Sequence, residues 1–391
     1  MRRRMVQFAL LFSLLFQLAS PGAPAWSASQ DGRAAAGISL ETSAASAVLM
    51  DAYSGKVLYE KEPHKRVAPA SVTKVMTLLV AMEAIAKGKV KWEDRVVASE
   101  AAWELGGSQI WLEPGEEFSL REMMIAIAVG SANDACVVVA EHIAGSHEAF
   151  VEMMNQKAKS LGLKNTHFVN AYGLPAEGHY TSAYDMARIC REALKYPEIL
   201  ELTSMKHYYK LRGGRPKLDN TNKLLWWYKG ADGFKTGWTT EAQYCLASTV
   251  KRDGLRLICC VFGVPDSRGH FRESMKIYNW GFANFGFREL VRAGQEMGRV
   301  PVGKGAKDQV EVIAPRRVGV LIKKGEEPEV KTEVRLPSLV PAPVAKGQAL
   351  GELRVMVQGE PFEKVPLVAK REVARGSFLR LLNKTFRALV Y

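Results

Sequence analysis

The sequence predicts an α+β fold, with helices packed on a largely antiparallel sheet, followed by a small all-β domain and a C-terminal amphipathic helix. Three observations support this prediction. Apolar residues recur at helical spacing in several segments between residues 71 and 194. Strand-like segments separated by turn residues follow between residues 230 and 264. From about residue 291 the chain consists of short strand-like segments broken by turn signals.

The N-terminus is typical of a secretory signal peptide, which we place at residues 1–28. Three arginines precede an apolar run from Val6 to Leu18, and small residues at 23–25 form an A-x-A-like cleavage site. The apolar run is short for a membrane span. We therefore expect an exported protein, with an uncleaved N-terminal anchor as the alternative.

The first half of the mature chain predicts a hairpin and then helices. Residues 44–62 read as two strands around a turn at residues 53–55. A long apolar helix begins at Ser71 and ends near Gly88. The capping box "SLRE" opens a helix that Gly130 ends, and another helix begins near Asn133.

The second half predicts one more helix and then a sheet. The helix begins at about Thr181, with a serine or threonine cap. Strands are expected at residues 230–238, 243–251 and 255–264, the last two forming an antiparallel hairpin around Arg252-Asp253-Gly254. A helix from about residue 270 closes this part of the chain.

The C-terminal residues 374–391 predict an amphipathic helix. Its apolar face would carry Phe378, Leu382, Phe386 and Leu389, with Arg380, Lys384 and Arg387 nearer the other face. This pattern suits an anionic membrane surface, so we expect the exported protein to lie at the outer face of the cytoplasmic membrane. Docking of the helix on its own β-domain is the alternative.

Composition narrows the classes of site and partner. The five cysteines show no C-x-x-C spacing, and Cys259 and Cys260 lie in an apolar strand, so we expect buried thiols there. The seven histidines show no ligand spacing, so we expect no metal and no cofactor. The net charge of +13 favours an anionic membrane or cell-wall polymer as partner, and no nucleic-acid-binding motif is present.

Ser71 and Lys74 match the pattern S-x-x-K at the predicted start of a helix. Residues three apart on a helix share a face, so the amine of Lys74 can reach the hydroxyl of Ser71. A buried lysine that has lost its proton can act as a base and make the serine a nucleophile. A helix cap at Ser71 is the alternative, and the motif alone does not decide between them. A second match, Ser248 to Lys251, lies on a predicted strand, where positions three apart face opposite sides.

Two further segments carry polar groups suited to a catalytic cleft. Ser131 and Asn133 lie at a tight junction between two helices, where a hydroxyl can relay a proton and an amide can bind a substrate backbone. A helix cap at this junction is the alternative. Lys235, Thr236 and Gly237 follow one another on a predicted strand, where Gly237 permits close approach of a substrate backbone. A solvated lysine is the alternative there.

Together and in this order, S-x-x-K, S-x-N and K-T-G are typical of penicillin-binding proteins and serine β-lactamases. Around them, the segments PASVTKVMT, SANDA, NAYGL, TSAYDMA and DGFKTG resemble the D-alanyl-D-alanine carboxypeptidases, the low-molecular-mass penicillin-binding proteins that trim peptidoglycan stem peptides. The resemblance covers about residues 45–285 and continues to the end of the chain. It implies a penicillin-binding/β-lactamase-like catalytic domain at residues 40–288 and a small β-sandwich domain at residues 292–371.

The resemblance also implies a covalent mechanism. Ser71 would attack the carbonyl between the two terminal D-alanines of a stem peptide, and Lys74 would take its proton. Ser131 would relay a proton toward the leaving amine or Lys235. The acyl-enzyme would then be hydrolysed, and β-lactams would acylate the same serine.

Substrate binding is implied for the remaining motif residues. Asn133 would hold the acyl-side amide, and Lys235 with Thr236 would bind the terminal carboxylate. Gly237 would let the substrate backbone come close. The backbone N–H groups of Ser71 and Trp238 would stabilise the oxyanion.

Two alternatives share the motifs. A class A β-lactamase would need a glutamate in an E-x-x-L-N segment between the second and third motifs, and no glutamate there begins such a run. A non-catalytic wall-binding or penicillin-sensing protein would keep the fold without turnover, but all the motif side chains are intact. Transpeptidation and endopeptidation remain open as side activities.

Overall fold

The computed structural model describes residues 40–382. The predicted signal peptide, residues 1–28, and residues 383–391 of the predicted C-terminal helix lie outside the described residues. From Glu41 onward the described residues group as one compact unit. The division into a catalytic domain at 40–288 and a β-domain at 292–371 therefore stays a prediction.

The strands are numbered along the chain. They are β1 (Ser46–Asp51), β2 (Val57–Lys61), β3 (Arg95–Val97), β4 (Glu117–Ser119), β5 (His207–Tyr208), β6 (Leu218–Asp219), β7 (Ala231–Thr239), β8 (Gln243–Arg252), β9 (Leu255–Val264), β10 (Phe285–Val291), β11 (Glu296–Gly303), β12 (Gln309–Ile313), β13 (Val318–Lys323), β14 (Val330–Arg335), β15 (Val340–Pro341), β16 (Ala349–Val357) and β17 (Glu360–Ala369).

The helices are numbered in the same way. They are α1 (Lys74–Ala86), α2 (Glu100–Trp103), α3 (Leu120–Ile125), α4 (Asn133–Ala144), α5 (His147–Ser160), α6 (Ala183–Ala193), α7 (Pro197–Thr203), α8 (Leu224–Trp227) and α9 (Gly269–Asn284). A 3-10 turn at Ala70–Thr73 precedes α1, and a π-helical turn at Ala126–Gly130 continues α3.

The central antiparallel sheet has the strand order β2-β1-β9-β8-β7. The predicted hairpins β1/β2 and β8/β9 are confirmed, and both pairs are antiparallel. Strand β7 lies at the edge of the sheet, so one side of its backbone faces away from the other strands. This edge strand carries the K-T-G motif.

Helices cover both faces of this sheet. Adjacent residues of a strand face opposite sides. Cys260 of β9 contacts Cys190 of α6, whereas Cys259 contacts Ser274 of α9. The sheet is therefore the middle of three layers, with α6 on one face and α9 on the other. All five cysteines lie in the described part of the chain as buried free thiols, as expected for Cys259 and Cys260.

The capping signals in the sequence correspond to real helix starts. Ser119 and Glu122 form the predicted capping box at the start of α3. Ser182 caps α6 by accepting a hydrogen bond from the backbone N–H of Asp185 at 3.2 Å. Gly145 ends α4 in a left-handed conformation, φ 83°. Helix α1 is buried along most of its length, and the 3-10 turn before it packs against the edge strand β7.

The C-terminal part of the chain is an all-β structure. Its larger sheet has the strand order β14-β16-β17-β12-β11-β15, and β10 pairs with β13. Apolar side chains from these strands form a second core, including Val300, Val312, Leu353 and Val365. Residues 378–382 are helical, whereas residues 374–377 are not. In the part of the chain that is described, every helix is too short or too polar to cross a membrane.

Candidate active site

Ser71 and Lys74 come together at the start of α1. Ser71 lies in the 3-10 turn, and the Nζ atom of Lys74 lies 2.9 Å from its Oγ atom. Lys74 is fully buried. Within residues 40–382 the Ser71 hydroxyl makes no helix-capping bond to this turn or to α1, so the interpretation of Ser71 as a cap is wrong.

Two further acceptors hold the amine of Lys74. Its Nζ atom donates to Oδ1 of Asn133 at 2.7 Å and to the carbonyl of Tyr172 at 2.6 Å. Burial lowers the pKa of Lys74 to about 8. A neutral amine has two N–H donors and one lone pair. With both donors taken, the lone pair is directed at the remaining neighbour, the hydroxyl of Ser71.

The carbonyl of Tyr172 is positioned by the turn at residues 170–174. Oδ1 of Asn170 accepts from the backbone N–H groups of Tyr172 at 3.2 Å and Gly173 at 2.6 Å. Gly173 has φ +91°, and a Cβ atom there would lie 1.9 Å from the carbonyl oxygen of Ala70. Only glycine fits this contact with the serine-bearing turn. The sequence analysis quoted this turn as NAYGL but assigned it no role.

Ser131 and Asn133 lie at the junction that precedes α4. Ser131 has a left-handed backbone, φ 62° and ψ 28°, and is 4% exposed. The side-chain Nδ2 of Asn133 donates to the carbonyl of Gly106 at 2.7 Å. The backbone N–H of Asn133 donates to the carbonyl of Ser108, also at 2.7 Å. Ala132 is the N-cap of α4 and makes no side-chain cap in the described chain, so the helix-cap interpretation is wrong here as well.

Asp134 is a supporting residue that the sequence analysis did not identify. Its buried carboxylate accepts from the backbone N–H groups of Ile110 at 3.0 Å, Leu112 at 3.2 Å and Ala135 at 2.9 Å. These bonds tie the loop at residues 105–112 to the start of α4. Burial raises the pKa of the Asp134 carboxyl in spite of these donors.

Lys235 and Thr236 lie on β7 beside the serine. Lys235 is only 1% exposed, so the interpretation as a solvated lysine is wrong. Its Nζ donates to the hydroxyl of Thr221 at 3.3 Å and the carbonyl of Thr236 at 3.2 Å, and the two threonine hydroxyls are 2.6 Å apart. Burial, with a contribution from the charge of Lys74, lowers the pKa of Lys235 to about 7. The motifs gave no signal for Thr221.

Gly237 and Trp238 continue the edge strand past the serine. A Cβ atom at Gly237 would lie 3.0 Å from the backbone nitrogen of Ser71 and 3.0 Å from the carbonyl oxygen of Pro69. Glycine therefore lets β7 approach the nucleophile. The side chain of Trp238 is 56% exposed.

All eight predicted site residues converge at one cleft of about 400 Å³. Five of them line it: Ser71, Ser131, Thr236, Gly237 and Trp238. Lys74, Asn133 and Lys235 are buried close to these residues. The arrangement offers a nucleophile, a buried amine beside it and hydroxyl and ammonium donors for an anion. Within residues 40–382, no group of three or more His, Cys, Asp or Glu side chains is placed to hold a metal ion.

Comparisons with known proteins match both parts of the chain. A family model described as D-alanyl-D-alanine carboxypeptidase matches residues 31–266, and one described as penicillin-binding protein 5, C-terminal domain, matches residues 285–375. The D-alanyl-D-alanine carboxypeptidase DacF of Bacillus subtilis is 44% identical over 367 residues, which is 93% of this chain and 94% of the relative.

Solved structures agree with these matches. Penicillin binding protein 5 from Haemophilus influenzae is 35% identical with a TM-score of 0.67, and the match covers 86% of this chain and 98% of that protein. Penicillin-binding protein D2 from Listeria monocytogenes, in its ampicillin-bound form, is 31% identical with a TM-score of 0.57. That match covers 62% of this chain and 99% of the other.

Proposed function

The chain belongs to the D-alanyl-D-alanine carboxypeptidase family, and from this premise we propose that Ser71 is the nucleophile that removes the terminal D-alanine from peptidoglycan pentapeptide stems. The observation that carries the proposal is the 2.9 Å contact between Lys74 Nζ and Ser71 Oγ at the cleft. Removal of this D-alanine leaves a stem that can no longer donate an acyl group, so the activity limits cross-linking.

Acylation begins when Lys74 accepts the proton of Ser71. The pKa of Lys74, lowered to about 8, leaves a useful fraction of neutral amine near neutral pH. Asn133 and Tyr172 occupy the two N–H donors of that amine, which aims its lone pair at Ser71. Ser71 Oγ then attacks the carbonyl between the two D-alanines. Ser131, which lines the same cleft, relays a proton to the leaving amine.

The oxyanion that forms is stabilised by the backbone N–H groups of Ser71 and Trp238. Strand β7 passes close to Ser71 at Gly237, where a Cβ atom would lie 3.0 Å from the backbone nitrogen of Ser71. This close approach supports the placement of the two donors. Each such donor contributes a factor on the order of 100 or more in rate. The second N–H of the Asn133 carboxamide binds the acyl-side amide of the substrate.

Lys235 and Thr236 bind the terminal carboxylate, with Thr221 beside them. The pKa of Lys235 is lowered to about 7 by burial and by the neighbouring Lys74, so above that pH the amine is mostly neutral until an anion binds. An arriving carboxylate favours the ammonium again, because opposite charges in a buried site attract strongly. Substrate binding thus sets the charge of Lys235. β-Lactams, which carry a carboxylate beside their reactive amide, acylate the same serine.

The test is release of D-alanine from a muramyl pentapeptide by the purified protein, compared with Ser71→Ala. We expect release by the wild type and none by the variant, with both proteins folded. Intact mass after penicillin treatment, followed by peptide mapping, should show one long-lived adduct on Ser71. Rapid turnover of penicillin would favour a serine β-lactamase instead. A folded wild type that releases no D-alanine would favour a non-catalytic wall-binding protein.

We also infer that the protein is exported and held at the membrane surface by its C-terminal helix. Three apolar side chains at the described start of this helix are exposed: Phe378 by 77%, Leu379 by 72% and Leu382 by 53%. The net charge of +13, to which the predicted signal peptide contributes three arginines, favours an anionic surface. Cosedimentation with phosphatidylglycerol vesicles should exceed that with phosphatidylcholine vesicles, and a chain ending at residue 375 should lose it. Equal cosedimentation of both chains would contradict the anchor.

A further inference from the structure

A second cavity, of about 870 Å³, shares no described residue with the cleft beside Ser71. Its walls include the turn between β1 and β2, one face of α6 and two side chains of the all-β part, Arg316 and Glu363. The volume falls within the roughly 300–1,000 Å³ typical of ligand sites. The cavity is therefore large enough to hold a ligand of its own.

Positive charge dominates the wall of this cavity. The charged side chains that line it are four cations and two carboxylates: Arg188, Arg191, Lys195 and Arg316 against Glu192 and Glu363. Both carboxylates are already engaged. Glu192 pairs with Lys195 at 2.7 Å and with Lys157 at 3.1 Å. Glu363 pairs with Arg316 at 2.7 Å. The wall therefore keeps an excess of positive charge that these carboxylates do not neutralise.

The excess lies at Arg188 and Arg191, which form no ion pair with a carboxylate within residues 40–382. Arg188 is half-buried, and its guanidinium lies 5.9 Å from the ring centroid of Tyr184. Arg191 donates from Nε to the carbonyl of Ala52 at 3.0 Å and from Nη2 to the carbonyl of Tyr53 at 2.8 Å. A guanidinium carries five N–H donors, of which these bonds use two. The two arginines can therefore offer both charge and donors to an anion.

The position of these cations on α6 explains only part of their charge. Arg188 and Arg191 are three residues apart and share a helix face, where like charges repel. Arg191 and Lys195 lie at the end of the helix, whose negative dipole favours cations. That effect is confined to the last turn, so it does not account for Arg188. An anion in the cavity would relieve the repulsion between the two arginines.

The guanidinium of Arg191 is held in a fixed orientation. Gly55 has φ +79°, and a Cβ atom there would lie 2.8 Å from Nη1 of Arg191, so only glycine lets the guanidinium pack on this turn. A planar guanidinium fixed in this way loses little freedom when it binds phosphate oxygens in pairs. The chemistry of the wall therefore favours a phosphate group over other small anions.

The cavity lies at the end of β17 that is distant from the C-terminal helix. Arg380 of this helix pairs with Asp308, immediately before β12, at 3.4 Å. Strand β12 places Val312 opposite Ala369, so Asp308 lies beyond that end of β17. Glu363 lines the cavity six residues away from Ala369, which is roughly 20 Å along an extended strand. A headgroup of the bilayer proposed to contact the helix is too far away, which favours a polymer that extends outward.

We propose that this cavity binds the phosphodiester groups of an anionic polyol phosphate polymer of the cell wall, which holds the enzyme beside its substrate. Arg188 and Arg191 bind phosphate oxygens, and Lys195 and Arg316 neutralise neighbouring charges of the chain. Because such a polymer carries one negative charge per repeat, several cations in one cavity favour an oligomer over a single phosphate. The binding does not depend on the activity of Ser71.

The experiment measures binding of fluorescent poly(glycerol phosphate) oligomers to the purified full chain by anisotropy at fixed ionic strength. We expect saturable binding. Unlabelled glycerol phosphate should compete at least about tenfold less well than the unlabelled oligomer, because it engages fewer cations. Absence of oligomer binding, or equal competition by the monomer and the oligomer, would overturn the polymer site.

Matched double variants locate the binding. Arg188→Gln/Lys195→Gln removes two cations of the cavity and leaves the backbone bonds of Arg191 in place. It should weaken oligomer binding about tenfold or more, because charge-assisted hydrogen bonds to phosphate are lost. Arg66→Gln/Arg121→Gln removes the same charge from two exposed side chains outside the cavity, each packed on an aromatic ring. This control should bind within about twofold of the wild type, because distant surface charges are screened.

Two further readouts separate the cavity from the active site and from the membrane. Both double variants should keep penicillin labelling of Ser71, which shows that they fold, and cosedimentation with phosphatidylglycerol vesicles. Equal weakening of oligomer binding in the two double variants would indicate unspecific charge attraction and overturn the site. Loss of vesicle binding in the cavity variant alone would place a lipid headgroup in the cavity and overturn the assignment to a wall polymer.

Discussion

Replacement of Asp134 by alanine should loosen the catalytic cleft from beneath, although Asp134 does not line it. The carboxylate of Asp134 holds the backbone N–H groups of Ile110 and Leu112. The same loop supplies the carbonyls of Gly106 and Ser108, which fix the side chain and backbone of Asn133. Asn133 in turn holds the amine of Lys74. Loss of Asp134 therefore acts on the base through two intermediate contacts.

The magnitude follows from the donors left without partners. Three buried backbone N–H groups lose their acceptor, those of Ile110, Leu112 and Ala135, and each such loss costs roughly 1–3 kcal/mol, so Asp134→Ala should destabilise by about 3–9 kcal/mol. For a chain of this size the midpoint of thermal unfolding should fall on the order of 10 °C. Asp134→Asn should cost less, about 1 kcal/mol, because the amide keeps one acceptor. It also avoids burying a charge, the effect that raises the pKa of Asp134.

Thermal unfolding and the rate of labelling by a fluorescent penicillin should be measured together. We expect both to decrease in the order wild type, Asp134→Asn, Asp134→Ala. Glu113→Ala, which removes an exposed carboxylate just beyond the same loop, is the matched control and should resemble the wild type. If Asp134→Ala unfolds at the wild-type temperature and is labelled at the wild-type rate, the carboxylate does not position the loop.

Two further predictions concern the base and its surroundings. Gly173→Ala should nearly abolish penicillin labelling, because the new Cβ atom would lie 1.9 Å from the carbonyl oxygen of Ala70. Gly178→Ala is the control: its φ of +79° is similar but its nearest neighbour is 3.8 Å away, so it should lose stability and keep labelling. Equal labelling of the two variants would contradict the packing argument. The acylation rate should fall as the pH drops below about 8, because Lys74 then becomes protonated. In Lys74→Arg the guanidinium stays protonated, so acylation should be slower by roughly 100-fold or more. A flat pH profile for the wild type would contradict the role of Lys74 as the base.

The sequence predicted the sheet and most helix starts because these are set by local chemistry. The capping box at Ser119, the serine cap at Ser182 and the glycine after α4 all act within a few residues of the chain. Helix α5 was not predicted, although Ser146 caps it. Its polar surface pattern is a weaker signal than the apolar run of α1.

The motif residues were predictable, but their partners were not. The carbonyl of Tyr172 reaches Lys74 across 98 residues of sequence, and a backbone carbonyl has no side-chain identity that a motif could record. Thr221 meets Thr236 from a separate loop, and Asp134 acts through backbone N–H groups 22 and 24 residues away. Long-range contacts of this kind depend on tertiary packing, so the motifs did not reveal the roles of these residues.

Ser248 and Lys251 show why spacing alone is insufficient evidence for a nucleophile and its base. Both lie on β8. Ser248 Oγ donates to the carbonyl of Cys259 at 3.1 Å and lies 3.0 Å from the hydroxyl of Tyr278, whereas Lys251 is exposed. In the first motif the 3-10 turn brings Lys74 Nζ to 2.9 Å from Ser71. The same four-residue pattern thus gives a structural hydroxyl on a strand and a serine–lysine pair on a helix start. The difference is the backbone, which rotates Lys74 onto the side of Ser71 and buries it there.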